Sequence, residues 1–307
     1  MKRVACLILT VGLLAGCGGA PSGGDAPAES SLSWDRPQGV SDRVASIEGL
    51  SGPEAVRYDP DQDVWFIANF GPGNGDDRDA DGFVTRVDAE TGQVTDLRFI
   101  EGTSEQPLHM PRGMHIIGDT LWVADVDGVH GFDRRTGAAL IFHDFQSFEP
   151  GFLNDIAVGD VGGVLYVTDT GRSSLFSVEA GVVTEILADS ALGSPNGITW
   201  DGARSAFVLV PWTPGHPARL WRPGDAAAQA LGPTTPGRLD GVEAIDRRLL
   251  VASQTDSTLH LMDAGGFRSV IRVDGAPADI GVDTRRRRVA VPYIALDRVD
   301  IWQLPPE

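Results

Sequence analysis

Short apolar runs recur along the chain after residue 43, each closed by Gly, Pro, Asp or Asn. They include Val64-Trp65-Phe66-Ile67, Leu121-Trp122-Val123-Ala124, Leu165-Tyr166-Val167-Thr168, Ala206-Phe207-Val208-Leu209, Leu249-Leu250-Val251-Ala252 and Val289-Ala290-Val291-Pro292. Runs this short, rich in β-branched and aromatic residues and bounded by turn formers, predict buried strands rather than helices. Asp88-Ala89-Glu90-Thr91-Gly92 and Asp133-Arg134-Arg135-Thr136-Gly137 spell one Asp-x-x-Thr-Gly hairpin turn, with Gly supplying a positive φ. No amphipathic pattern of helical length follows residue 35.

A second motif precedes each run. Gly52-Pro53-Glu54, Met110-Pro111-Arg112, Phe152-Leu153-Asn154, Ser194-Pro195-Asn196, Arg238-Leu239-Asp240 and Ala276-Pro277-Ala278 begin 58, 42, 42, 44 and 38 residues apart. That spacing suits a four-stranded propeller blade. The last repeat has room for three strands, at 278–283, 288–293 and 298–304. The stretch 44–49 resembles the outermost strands 97–102 and 270–275. The pattern predicts an all-β fold, a six-bladed β-propeller over residues 34–307. The N-terminal strand closes its last blade, so that only short edges remain.

Equivalent positions of a radial repeat converge on its axis. The third motif position runs Glu54, Arg112, Asn154, Asn196, Asp240, Ala278, so four residues offer oxygen to one point and two of them are anionic. Oxygen donors with two formal charges suit a hard divalent cation, Ca²⁺ first, with another divalent cation possible. Two of the four asparagines in the chain fall in this column; the turn preference of Asn and Asp accounts for one or two of its positions, but Glu54 fits that preference poorly. The column holds no His or Cys, which disfavours zinc there. Asp279, one place past the column, reads as a strand-start residue or as support for the ligands. Asp77-x-Asp79-x-Asp81-Gly82, with Asp88 beyond, mimics the start of a Ca²⁺ loop, but the flanking helices of an EF-hand are absent and a solvated acidic loop is preferred.

The first 17 residues stand apart. Lys2 and Arg3 precede an apolar stretch at 4–13 and the tetrad Leu14-Ala15-Gly16-Cys17, the order of a signal peptide with a bacterial lipobox. Cys17 is the expected lipidation site, and residues 18–33, rich in Gly, Ala, Pro and Ser, are the expected tether. The expected location is therefore the cell envelope, outside the cytoplasm, with the membrane engaged through the lipid alone. Cys6 leaves with the signal peptide, so the folded domain has no thiol for a disulfide, a nucleophile or a metal. The formal net charge of −18 excludes a nucleic-acid partner and suits a cation. The one basic cluster, Arg285-Arg286-Arg287-Arg288, falls between two strands and reads as a solvated hairpin. A small-molecule substrate and a monomer are expected.

The motifs around Glu54, Asn154-Asp155, Asn196-Gly197 and Asp240-Gly241 resemble the gluconolactonase family, which includes senescence marker protein (regucalcin) and luciferin-regenerating enzyme. The same Glu, Asn, Asn, Asp order occurs in paraoxonase and diisopropyl fluorophosphatase. The resemblance covers about residues 43–304. It implies a Ca²⁺-dependent hydrolase of lactones, esters or phosphotriesters. In it Glu54, Asn196 and Asp240 are metal ligands, and Asn154 is a fourth ligand or a substrate-facing amide. Asp155 matches an acid that supports that Asn. Asp240 is the expected catalytic carboxylate, as nucleophile or as the base that orients water. Arg112 is a candidate for gripping a substrate carboxylate. His109 and His115, which flank it, read as ordinary loop and strand residues. The rival reading is a non-catalytic propeller that binds a protein, glycan or small ligand at its top face.

Overall fold

The computed structural model describes residues 42–72, 78–160, 162–235, 237–263 and 266–305. The predicted signal peptide, Cys17 and the tether lie outside the described residues, as does Asp77.

Six antiparallel four-stranded sheets form the blades of a β-propeller. Their innermost strands are Pro53–Asp59, Met114–Ile117, Leu153–Ala157, Pro195–Asp201, Leu239–Ile245 and Gly281–Asp283. Blade 6 takes its outer strand from the other end of the chain. Arg43–Ile47 pairs antiparallel with Arg298–Gln303, and the Ser46 hydroxyl donates to Asp300 Oδ1 at 2.6 Å. The ring therefore closes as the N-terminal pattern predicts. Both Asp-x-x-Thr-Gly turns form: the Asp88 and Asp133 carboxylates accept from Thr91 and Thr136, and Gly92 and Gly137 take φ of 73° and 75°.

The apolar residues do not gather into one core. They divide into six wedges, one between each pair of neighbouring sheets. Trp65 and Ile67 of blade 1 pack with Val299 and Ile301 of blade 6, whereas Phe66 and Ala68 of the same strand pack with Leu121 and Val123 of blade 2. Alternation along a single strand thus serves two seams, because each sheet is covered on both faces. This also explains the near-continuous apolar runs. The Arg285–Arg288 hairpin is more than a solvated loop. Arg285 and Arg286 pair with Asp63 of blade 1, and Arg287 pairs with Asp246 of blade 5.

The inner strand of blade 6 is shorter than the predicted 278–283. Residues ahead of it bond sideways, across the axis seam: the Asp279 N–H donates to the Glu54 carbonyl at 2.9 Å, and the Val56 N–H to the Asp279 carbonyl at 3.1 Å. Glycines allow the same close approach at other seams. A Cβ on Gly197 would stand 2.3 Å from the Asp240 carbonyl oxygen, and one on Gly241 2.5 Å from the Ile280 nitrogen. We expect Gly241→Ala to push blades 5 and 6 apart and destabilise the fold by about 1–3 kcal/mol, the usual cost of overpacking. Gly162→Ala, where nothing lies within 4 Å, should melt as the wild type does. Equal melting temperatures for the two variants would show that the seam yields freely.

Candidate functional site

The four oxygen-bearing column residues line one cavity of about 470 Å³, together with Gln254 and the apolar side chains of Phe70, Phe152, Trp212 and Ile294. Each column residue sits near the start of an inner strand, on a local irregularity. The register of inner against second strand shifts between Pro53 and Ala55, Leu153 and Ile156, Pro195 and Ile198, and Leu239 and Val242. An extra residue at such a point swings its side chain out of the ordinary alternation. In four separate blades that residue is, or adjoins, the Glu, Asn or Asp of the column.

These side chains are almost wholly buried, and one oxygen of each lacks a partner among the described residues: Glu54 Oε2, Asn154 Oδ1, Asn196 Oδ1 and Asp240 Oδ1. Unpartnered buried acceptors are costly, and four in one cavity point to a group that satisfies them together. A hard cation does so, since two carboxylates and two amide carbonyls make the oxygen-only set that Ca²⁺ takes. The other Asp240 oxygen is held by the Gln254 amide, which donates to it at 2.6 Å.

Charge makes the same point. Burial pushes the Asp240 carboxyl up to about 7, with the Asp155 charge adding to it and the Gln254 hydrogen bond opposing. Burial and the Asp240 charge raise Glu54 well above the carboxylate range, against the pull of Arg112. Asp155 rises to about 7, again through burial, with Arg57 opposing.

Asp155 does not line the cavity; it ties blade 3 to blade 4. Its Oδ2 accepts the Ile198 N–H at 2.8 Å and its Oδ1 the Ile156 N–H at 2.7 Å. Asp279 is buried at the same axis, raised by burial and by the Asp155 charge, and its Oδ2 is unpartnered among the described residues. The Arg57 side chain reaches across from blade 1 to pair with Glu243 of blade 5, and its Nε donates to the Met114 carbonyl at 2.6 Å.

Arg112 lies behind the cavity wall. It is fully buried and not among the cavity-lining residues. Its guanidinium lies 3.7 Å from the Phe152 ring centre and 5.7 Å from that of Phe70, and donates to the Leu153 carbonyl at 3.2 Å. It braces the aromatic wall and lends positive charge to Glu54. His115, held neutral by burial and by Arg57, which bring it down to about 3, and His109 also lie outside the cavity lining. Asp88 of the acidic loop is taken up in its hairpin turn.

Sequence reasoning missed a second column. The position just past each second strand's pairing with the inner strand is occupied by Phe70, Val126, Thr170, Trp212, Gln254 and Ile294, and all but Val126 line the cavity. The signal was the same repeat read one strand later.

No protein-family model matches the chain, and no curated protein matches it. Solved structures do match. Regucalcin from Agrobacterium tumefaciens, described as a calcium-binding protein, superposes with a TM-score of 0.64 at 17% identity, over 85% of this chain and 94% of that one. A gluconolactonase from Xanthomonas campestris gives 0.65 at 14%, over 88% and 99%. This chain has their six-bladed propeller fold. Virginiamycin B lyase from Staphylococcus aureus also superposes, with a TM-score of 0.58 at 13% identity, over 85% and 99%. The shared fold therefore leaves the chemistry to the site.

The raised carboxyls give a signed expectation. Without a cation the native state keeps a proton on Asp240 that the unfolded chain releases, so stability falls as pH rises from about 4 towards 7. In chelator at pH 8, Asp240→Asn should melt several degrees above wild type, and calcium should raise the wild type far more than the variant. A wild-type melting temperature that is flat with pH and indifferent to calcium would remove the basis for a cation site here.

Proposed function

We propose that the chain is a Ca²⁺-dependent hydrolase of the gluconolactonase type, acting on a lactone, ester or phosphotriester in the axial cavity. The observation that carries this reading is the set of four buried oxygens on Glu54, Asn154, Asn196 and Asp240 in that cavity, unpartnered among the described residues. The cation they would hold supplies Lewis acidity to a carbonyl or phosphoryl oxygen and offsets the charge that develops there. Asp240 is the carboxylate for the chemistry, because Gln254 fixes one of its oxygens while the other is unpartnered. As a carboxylate beside the cation, Asp240 would take a proton from water or attack the acyl or phosphoryl centre directly.

The walls narrow the substrate. Phe70, Phe152, Trp212 and Ile294 supply apolar surface, whereas the polar groups Glu54, Asn154, Asn196, Asp240 and Gln254 come mainly from the converging columns. This division suits a substrate with a polar acyl or phosphoryl head and an apolar ring or chain, more than a polyhydroxylated sugar lactone. The rival, capture of a small ligand without turnover, draws on the same aromatic walls.

A panel of alkyl lactones, aryl esters and phosphotriesters, assayed with calcium and with chelator, decides between them. We expect hydrolysis that depends on calcium and favours apolar substituents. Metal-saturated Asp240→Asn should lose about 10²–10⁴-fold in turnover, the usual worth of a base or nucleophile. No turnover across the panel favours the binding protein, and wild-type turnover by the variant reduces Asp240 to a ligand.

We also place the protein in the cell envelope, anchored by lipid on Cys17. The lipobox supports this. Cys17→Ser should leave the protein unlipidated and release it from the membrane fraction. Unchanged fractionation, or a mature N-terminus elsewhere, would count against the anchor.

A further inference from the structure

Blade 2 carries a second cluster of donors, away from the four-oxygen column. Asp125 follows the strand Thr120–Ala124, and His130 lies on the next strand, Gly128–Asp133. Asp125, Asp127 and His130 are all buried, and each offers one ligand atom within 4.8 Å of the others.

The carboxylate of Asp125 organises the backbone around it. Its Oδ2 accepts the His109 N–H at 2.7 Å, and its Oδ1 accepts those of Met110 and Val126 at 2.6 and 2.8 Å. A carboxylate has about four acceptor positions, so roughly one remains. It faces His130, whose Nε2 stands 3.6 Å from Oδ2, too far for a hydrogen bond. The His130 ring is 2% exposed and lies against Phe132 and Phe142, and neither of its nitrogens has a hydrogen-bond partner among the described residues. Asp127 Oδ1 is buried and unpartnered there as well, and Arg78 approaches its other oxygen no nearer than 4.0 Å.

A polar ring buried between aromatics with both nitrogens unsatisfied, beside two carboxylates, marks a place built around something else. A tetrahedral ion about 2.1 Å from each donor holds neighbouring donors about 3.4 Å apart, close to the observed separation of His130 Nε2 and Asp125 Oδ2. We propose that Asp125, Asp127 and His130 form a binding site for a divalent transition-metal ion of the zinc class, with a fourth position left to water. The imidazole selects against Ca²⁺, which takes oxygen donors, and in favour of zinc-like ions. The ion would clip the Asp125–Asp127 turn to the strand Gly128–Asp133, while Asp125 holds the backbone of His109 and Met110.

The test uses the untagged full chain, stripped by chelator and then given excess calcium to fill the axial site. Zinc titration should show one further equivalent bound, and cobalt should give visible absorption bands of a tetrahedral centre. Asp127→Asn and His130→Gln should each weaken zinc at least about tenfold, since even an outer partner of a ligand is worth 10–100-fold. Glu54→Gln, which alters the axial column, should keep the zinc. Absence of zinc uptake by the wild type, or undiminished uptake by Asp127→Asn, overturns the site. If His130→Gln fails to fold, the isosteric Asp127→Asn decides alone.

Discussion

Negative charge gathered at the propeller axis is the constraint on which the rest of the structure turns. Glu54, Asp155, Asp240 and Asp279 are all nearly inaccessible to water, and Glu243 lies part-buried on an inner strand nearby. Among the described residues, Arg57 and Arg112 are the cations that oppose them from inside. Two cations do not balance five acids, so the metal-free chain must hold protons or accept strain. Arg57 divides its charge between a direct pair with Glu243 and the fields of Asp155 and Asp279. Asp155 commits its oxygens to backbone N–H groups of blades 3 and 4. Glu54 and Asp240 are left with oxygens facing the cavity, where the proposed divalent ion would offset their two charges.

The fold can carry that excess because its stability is made elsewhere. Six apolar wedges between blades, and the closure of blade 6 by Arg43–Ile47, hold the ring whether or not the axis is satisfied. The axis contributes the opposite: unpaired acceptors, strand irregularities and glycines that admit backbone to backbone contact. Such a separation lets walls and floor vary on a fixed ring. Propellers with lactonase and lyase names accordingly superpose on this chain at similarly low identity.

Repetition decides what can be read from the chain. Six copies of one motif make the blade count, the closing strand and the Glu54, Asn154, Asn196, Asp240 column legible, since each copy checks the others. The strand irregularities that turn those side chains into the cavity are not legible, because they concern pairing partners and not composition. The second column, Phe70 to Ile294, obeys the same repeat but shares no residue type, so composition hides it. Arg112 holds the column position, and its contact with the rings of Phe70 and Phe152 is a tertiary feature that the repeat does not spell. Asp125, Asp127 and His130 lie in one blade only, and a site without a repeat leaves no periodic trace.

The two donor sets ask for different ions, and the difference is built into position. Column residues come from the starts of inner strands, where convergence on an axis brings oxygens from four blades without any imidazole. Coordination there is wide and suits a large hard ion with room for substrate. The blade 2 cluster comes from one turn and the strand after it, with two carboxylates and a ring nitrogen separated by only a few residues. Its span is short and its ring is fixed by flanking aromatics, conditions that suit a small ion of set geometry. Its anchor, Asp125, also fixes the backbone of His109 and Met110, just ahead of the Arg112 that braces the cavity wall.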